Sequence, residues 1–105
     1  MSYVTGTSDV LRKLENGEKP AIVDFWATWC APCKMFAPVF EAVSDELGDK
    51  YVFCKVDVDD QPELASEFRI VSIPTVIIID NGAMIKKNVG AMNETELKRF
   101  ITESF

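Results

Sequence analysis

Hydrophobic positions change their spacing several times along the chain, and each change predicts a new element. Residues 21–26 are apolar on both faces, as expected of a central strand in a parallel sheet. Residues 51–58 alternate, which predicts a second strand with Cys54 and three valines on one face. Between these strands, apolar residues recur at helical spacing over positions 36–47, and Gly48 ends that helix.

Capping and turn residues predict the other elements, beginning with a weak strand near residues 3–5. Ser8 is expected to cap a first helix, Pro62 lies at the start of a short third helix, and Asn93 begins the last helix in a capping box. Asn81-Gly82 predicts a type I′ hairpin, because both residues tolerate a positive φ. Strands joined by helices and finished by an antiparallel hairpin predict an α/β fold with helices on both faces of the sheet.

Composition narrows the class of protein. The 105 residues are 48% hydrophobic, which fits one globular domain spanning residues 1–105. A net charge of −6 argues against nucleic-acid binding, and we interpret the adjacent basic pair Lys86-Lys87 as the solvated face of a strand. The longest aliphatic run, residues 76–79, is too short for a membrane span, and the first residues lack the pattern of a leader peptide. We therefore expect a cytoplasmic protein, although a mature form without its signal would look the same, and the small acidic chain favours a monomer.

The stretch Trp-Cys-Ala-Pro-Cys-Lys at residues 29–34 carries the candidate chemistry. It follows a strand and opens a helix, where free backbone N–H groups and the helix dipole stabilise the thiolate of Cys30. Pro32 fits the first helical turn, since its missing N–H costs nothing there. Cys33 lies one turn further on and is expected to be the more buried. We predict that Cys30 attacks a substrate disulfide and that Cys33 resolves the mixed disulfide.

Two other interpretations of these cysteines fit the sequence less well. A zinc site needs about four ligands, whereas the chain has three cysteines and no histidine, so no metal is expected. A purely structural disulfide across so small a loop contributes little chain-entropy stabilisation. The absence of histidine also excludes Cys–His and Ser–His nucleophile pairs.

Further motifs follow in order and at consistent spacing, and together the chain resembles the thioredoxin family nearly from end to end. The residues that carry the resemblance are Val23-Asp24-Phe25-Trp26-Ala27, residues 29–34, Pro38, Lys55-Val56-Asp57-Val58-Asp59, Ile73-Pro74-Thr75, Asn81-Gly82 and Val89-Gly90-Ala91. The resemblance implies a thioredoxin fold, a central mixed sheet flanked by helices. It also implies a protein-disulfide reductase without a bound cofactor, which acts on disulfide-containing proteins and is recycled by a flavin-containing, NADPH-dependent thioredoxin reductase.

The resemblance also assigns roles to residues outside the dithiol. Asp24 matches a buried carboxylate that relays a proton to and from Cys33, and desolvation of a lone acid in an apolar strand should raise its pKa. The alternative is an acid in water at the strand end. Lys55 matches the lysine near that carboxylate, although a surface lysine is equally compatible with the sequence.

A contact surface for substrates is implied as well. Pro74 matches the cis-proline that faces the disulfide, and Ile73 matches the residue that pairs with an extended substrate strand. The expected members of this apolar, uncharged surface are Trp29, Ala31, Pro32, Ile73, Pro74, Gly90, Ala91 and Met92. For Met92 the alternative is a hydrophobic staple with Leu97 at the start of the last helix.

Two positions depart from the family pattern. Ala31 replaces the usual glycine, so we predict a modest change in redox poise and partner preference without loss of activity. Cys54 alternates with valines on an apolar strand face, which favours a buried inert cysteine over a regulatory thiol. Two rival functions remain at this point: a thiol oxidant or isomerase on the same fold, and a binding or chaperone subunit whose thiols are incidental.

Overall fold

A five-stranded mixed sheet forms the centre of the computed structural model, which describes residues 3–105. The strands are ordered β1-β3-β2-β4-β5 across the sheet. The first three neighbours are parallel, and β4 and β5 run antiparallel to their neighbours. The predicted mixed sheet is therefore confirmed. The strand bounds are β1 Tyr3–Thr5, β2 Ala21–Trp26, β3 Val52–Asp57, β4 Thr75–Asp80 and β5 Ala83–Val89.

Four helices cover both faces of this sheet, as the order of elements predicts. Large apolar side chains of α2 and α4, such as Phe40 and Leu97, pack on one face against Ile22 and Phe53. On the other face, α1 and α3 bury smaller side chains against the sheet, including Leu11. The helix bounds are α1 Ser8–Glu15, α2 Ala31–Leu47, α3 Pro62–Glu67 and α4 Glu94–Thr102. Among the residues described, no helix has both the length and the hydrophobicity to cross a bilayer.

Helix starts follow the predicted chemistry with one correction. The prediction that Ser8 caps α1 is wrong: Ser8 is the first helical residue, and the Thr7 hydroxyl accepts the Val10 N–H at 3.3 Å. Thr7 has the extended backbone that an N-cap needs, with φ −126° and ψ 172°. At α4 the capping box is confirmed, since Asn93 and Glu96 exchange hydrogen bonds of 2.8 and 3.0 Å.

The hairpin between β4 and β5 has the predicted turn, but its two lysines bind backbone carbonyls in other parts of the chain instead of forming one solvated face. Asn81 and Gly82 both have positive φ, 53° and 81°, which confirms the turn. Lys86 and Lys87 do not share one solvated face, because successive strand residues point to opposite sides of a sheet. The half-buried Lys86 donates from Nζ to the Phe100 carbonyl at 3.3 Å. Lys87 donates from Nζ to the carbonyl of Arg69 at 2.8 Å.

The sheet topology brings three distant parts of the chain together at one end of the central strands. The carboxyl ends of β2 and β3 lie side by side, because these strands are parallel. Since β4 is antiparallel to β2, its first residue, Thr75, lies opposite Phe25 near the end of β2. The loop from β2 to α2, which contains Cys30, therefore meets the loop that precedes β4.

Candidate active site

Cys30 and Cys33 form a disulfide across the first turn of α2. Their Cα atoms are 5.2 Å apart. Cys30 is the N-cap, with an extended backbone at φ −92° and ψ 106°, and Pro32 lies in the first turn that follows. The Cys30 Sγ accepts the backbone N–H of Cys33 at 3.2 Å. This N–H is one of the backbone donors that a helix start leaves free, and it points at the sulfur atom that carries the negative charge when Cys30 is a thiolate.

Both sulfurs are held in a small apolar cluster with Ala27, against which Trp26 and Ile73 also pack. Cys30 is 5% exposed and Cys33 is 3% exposed. The difference has the expected sign, but it is too small to separate the two cysteines. Their positions on the helix separate them better, because only Cys30 lies outside the first turn.

The loop before β4 contacts the disulfide directly. The peptide bond between Ile73 and Pro74 is cis, as the resemblance implies. The Ile73 carbonyl oxygen lies 3.8 Å from the Cys30 Sγ. Gly90 donates its N–H to the Pro74 carbonyl at 2.8 Å, which joins the segment after β5 to the same loop. Three separate segments are thus linked at this site.

The predicted contact residues differ in accessibility. Trp29 is 68% exposed, and its indole Nε1 donates to Asp59 Oδ2 at 2.8 Å. Ala31, Pro32 and Ala91 are exposed, Ile73 and Gly90 are half-buried, and Pro74 is buried. Met92 is buried in the same core cluster as Leu97, which matches the hydrophobic staple rather than the contact surface.

The sequence predicted no role for three further exposed side chains. Asp59 fixes the Trp29 ring, and its position just after β3, beside the end of β2, is the signal that predicts this proximity. Met35 and Val71 are highly exposed apolar residues close in sequence to Cys33 and Ile73. Both lie outside the periodic apolar positions, so hydrophobic periodicity does not find them.

Asp24 lies in the middle of β2 and is 1% exposed. Its Oδ1 has no hydrogen-bond partner among the described atoms. Burial raises the pKa of Asp24 from 3.8 to about 7, and the charge of Lys55 opposes that rise. The expected desolvation is confirmed, and the alternative of an acid in water is wrong.

Lys55 lies directly across from Asp24 in the β2–β3 register. It is 9% exposed, so the alternative of a surface lysine is wrong as well. Its Nζ lies 4.8 Å from the ring centroid of Trp26 and 5.4 Å from that of Tyr3. A buried acid and a lysine therefore share the sheet face beneath the start of α2.

Cys54 is fully buried in the core cluster on the opposite sheet face. Burial raises the pKa of its thiol to about 12, and the negative charge of Asp24 adds to that rise. This agrees with the predicted buried, inert cysteine. Within residues 3–105, no three Cys, His, Asp or Glu side chains are grouped so as to hold a metal ion.

Comparison with known proteins identifies the family. Residues 4–103 match the thioredoxin family model. The thioredoxin of Mycolicibacterium smegmatis is 46% identical over 100 residues, which cover 93% of this chain and 86% of that protein. The crystal structure of Malassezia sympodialis thioredoxin has a TM-score of 0.90 at 43% identity, covering 98% of this chain and 90% of that one.

A third relative has a different architecture. The bifunctional thioredoxin reductase/thioredoxin of Mycobacterium leprae is 47% identical over 88 residues, which cover 84% of this chain but only 19% of that protein.

Together the fold, the dithiol and these matches define a thiol-disulfide oxidoreductase of thioredoxin fold. The chain belongs to the thioredoxin family, and its activity is that of a protein-disulfide reductase.

Proposed function

We propose that this protein is a general protein-disulfide reductase in which Cys30 attacks and Cys33 resolves. The observation that carries the assignment is the position of Cys30 as the N-cap of α2, where its Sγ accepts the Cys33 N–H. That N–H and the helix dipole favour the thiolate over the thiol, and the thiolate is the form that attacks a disulfide.

The exchange proceeds in two balanced steps. In the reduced protein, the Cys30 thiolate attacks one sulfur of a substrate disulfide, and a bond forms between the two proteins while the second substrate sulfur leaves as a thiolate and takes a proton. Cys33, once deprotonated, then attacks the Cys30 Sγ. The mixed disulfide breaks, the Cys30–Cys33 disulfide forms, and the first substrate sulfur leaves as a thiolate. The dithiol has then transferred two electrons to the substrate.

Asp24 is the proposed acceptor of the Cys33 proton. A pKa of about 7 allows this carboxyl to gain and lose a proton near neutral pH. Its Oδ1 is not occupied by another described donor, which leaves it available for a proton. Lys55 is the proposed counter-charge, since it favours the deprotonated form of Asp24 that accepts the proton.

The proposed substrate surface surrounds the Cys30 sulfur. An extended substrate segment would pair with the backbone at Ile73, whose carbonyl already lies beside Cys30. Uncharged residues border that position and accept varied partners without a charge requirement. They are Trp29, Ala31, Pro32, Pro74, Gly90 and Ala91.

The proposed partner that restores the dithiol is an NADPH-dependent, flavin-containing thioredoxin reductase. The Mycobacterium leprae relative, a bifunctional thioredoxin reductase/thioredoxin, supports this pairing. The dithiol itself carries the electrons, so no bound cofactor is proposed. We further propose a monomer with one domain over residues 1–105 that acts in the cytoplasm, in electron transport and cell redox homeostasis. A reversible dithiol with an unpaired buried Cys54 suits a reducing compartment.

Trapping tests this proposal. In Cys33→Ser the first step proceeds and the second cannot, so an oxidised model substrate such as insulin should stay covalently attached to Cys30. The matched control is Cys30→Ser with Cys33→Ser, which keeps Cys54 but should trap nothing. Adducts that form on Cys54, or no adduct with the single variant, contradict the assigned roles. Partner binding that survives the double variant would support a binding subunit instead, and a reduction potential near that of an oxidising compartment would support an oxidant.

A further inference from the structure

Lys55 is held in the fold by aromatic rings rather than by an acid. Its Nζ makes no ion pair with an acid among the described residues. It lies instead over the rings of Trp26 at 4.8 Å and Tyr3 at 5.4 Å from their centroids. Both distances are within the range of a cation–π interaction.

The strand register explains why two rings meet at this lysine. β3 lies between β1 and β2, so Lys55 has one neighbouring strand on each side. Tyr3 of β1 lies opposite Phe53, and Phe53 and Lys55 face the same side of the sheet because they are two residues apart. Trp26 is likewise two residues beyond Asp24, the partner of Lys55 in β2. One ring from each neighbouring strand therefore flanks the ammonium group.

The kind of partner matters for the carboxyl of Asp24. A carboxylate bound to Lys55 would cancel much of its charge, whereas an aromatic ring attracts the ammonium and leaves the charge intact. Lys55 also lines an open cleft of about 370 Å³, into which its flexible side chain could otherwise turn. The remaining cleft residues are Tyr3, Thr5, Trp26, Asp57 and Asp60. Asp57 and Asp60 are the acids that would draw Lys55 away from Asp24.

We propose that Tyr3 is a positioning residue for thiol–disulfide exchange: its ring keeps the Lys55 ammonium beside Asp24 and away from the acids of the cleft. This proposal rests on the proposed role of Asp24 as acceptor of the Cys33 proton. Tyr3 touches neither sulfur, so it acts only through Lys55.

The test compares Tyr3→Leu, which removes the ring, with Tyr3→Phe, which keeps it. The pKa of Asp24 is measured by a carbon-13 NMR titration of its carboxyl group. Tyr3→Leu should raise that pKa by up to about half a unit, because Lys55 then opposes the effect of burial less strongly. The acidic limb of the reductase pH–rate profile should move to higher pH by the same amount. Tyr3→Phe should behave as the unsubstituted protein.

A double-mutant cycle separates positioning from packing. In a Lys55→Gln background, Tyr3→Leu should add no further shift, since the ring has no ammonium left to hold. Val4→Ala is the matched control, because Val4 lies next to Tyr3 in β1 and is exposed on the other side of the strand. An equal shift in both backgrounds, or no shift in either, overturns the proposal, and so does a pKa shift that the pH–rate profile does not follow.

This outcome is distinguishable from failure of the proposed function. Trapping of a substrate on Cys30 by the Cys33→Ser variant does not depend on Tyr3. If trapping succeeds while Tyr3→Leu leaves the Asp24 pKa unchanged, only the role of Tyr3 is wrong. If trapping fails, the assigned roles of the cysteines fail whatever the titration shows.

Discussion

The active-site cysteines and Cys54 place the same side chain in two opposite environments. Cys30 lies at a helix start, beside the backbone N–H of Cys33 and next to an exposed tryptophan. Cys54 lies inside a strand, fully buried among apolar side chains. Accessibility alone does not explain the difference, since Cys30 is itself only 5% exposed.

What differs most is the set of polar groups around each sulfur. The Cys30 Sγ has an amide donor at 3.2 Å and lies at the positive end of α2, and both favour the thiolate. Cys54 lacks these advantages: burial raises the pKa of its thiol to about 12, and the charge of Asp24 adds to that effect. Backbone geometry, rather than the presence of a cysteine, therefore creates the reactive site.

The largest expected effect is a difference in alkylation rate. In the reduced native protein at neutral pH, Cys30 should react with iodoacetamide at least about 10³ times faster than Cys54, because a core thiol is reached only through global unfolding. Mass spectrometry of proteolytic fragments over time measures both rates. Urea at a denaturing concentration is the control, since it should bring the two rates close together. Comparable rates in the native protein would contradict the assigned environments.

The second prediction concerns Asp24, whose charge affects Cys54 and whose proposed role concerns Cys33. Its folded pKa of about 7 is higher than its ordinary value of 3.8. Well below pH 3.8 the carboxyl is protonated in both states and folding is not penalised. As the pH rises to about 7, the unfolded chain loses the proton first, so the free energy of unfolding falls by on the order of 4 kcal/mol.

Asp24→Asn should remove this part of the pH dependence. Urea unfolding of the oxidised forms at pH 5 and pH 9 measures it, with the disulfide intact in both proteins. The unsubstituted protein should lose more stability than the variant between these values. Equal losses of stability in the two proteins would show that folding does not raise the pKa of Asp24. The same substitution should slow reduction of insulin if Asp24 accepts the Cys33 proton.

The third prediction is that Cys54 matters for stability and Cys30 matters for activity. Cys54→Ser puts a hydroxyl in a fully buried apolar site and should lower the free energy of unfolding by about 1–3 kcal/mol. Its reductase activity should remain within about twofold at temperatures where it is folded, since the proposed exchange does not use Cys54. Cys30→Ser should show the opposite pattern, with lost activity and a smaller change in the stability of the reduced protein. Thermal unfolding and insulin turnover distinguish the two patterns.

Local patterns predicted the elements well, because each helix and strand carries its own signal. The two-sided apolar run of β2 and the capping box of α4 needed no tertiary information. The correction at Thr7 arose because two adjacent residues can both cap a helix, and only the backbone conformation decides between them.

The candidate site was only partly predictable from the residues themselves. Spacing identified Cys30 and Cys33, whereas Asp24, Lys55 and Pro74 came from the family resemblance. These residues meet only because β4 runs back along β2 and β3 lies beside it. The rings around Lys55 and the hydrogen bond from Trp29 to Asp59 depend on side-chain directions, which hydrophobic periodicity does not specify.

The smallest expected effect is that of Ala31→Gly, which changes the residue between the helix cap and Pro32. Ala31 is the first residue of α2 and is exposed, so the substitution leaves no cavity. The loss of helix preference should lower the free energy of unfolding by less than about 1 kcal/mol. A change of that size corresponds to a shift in reduction potential below about 20 mV, with reductase kinetics altered a few-fold. Equilibration with glutathione at fixed ratios measures the potential. Unchanged potential and kinetics, or a loss of activity, would each contradict the view that the helix start tunes the dithiol without creating it.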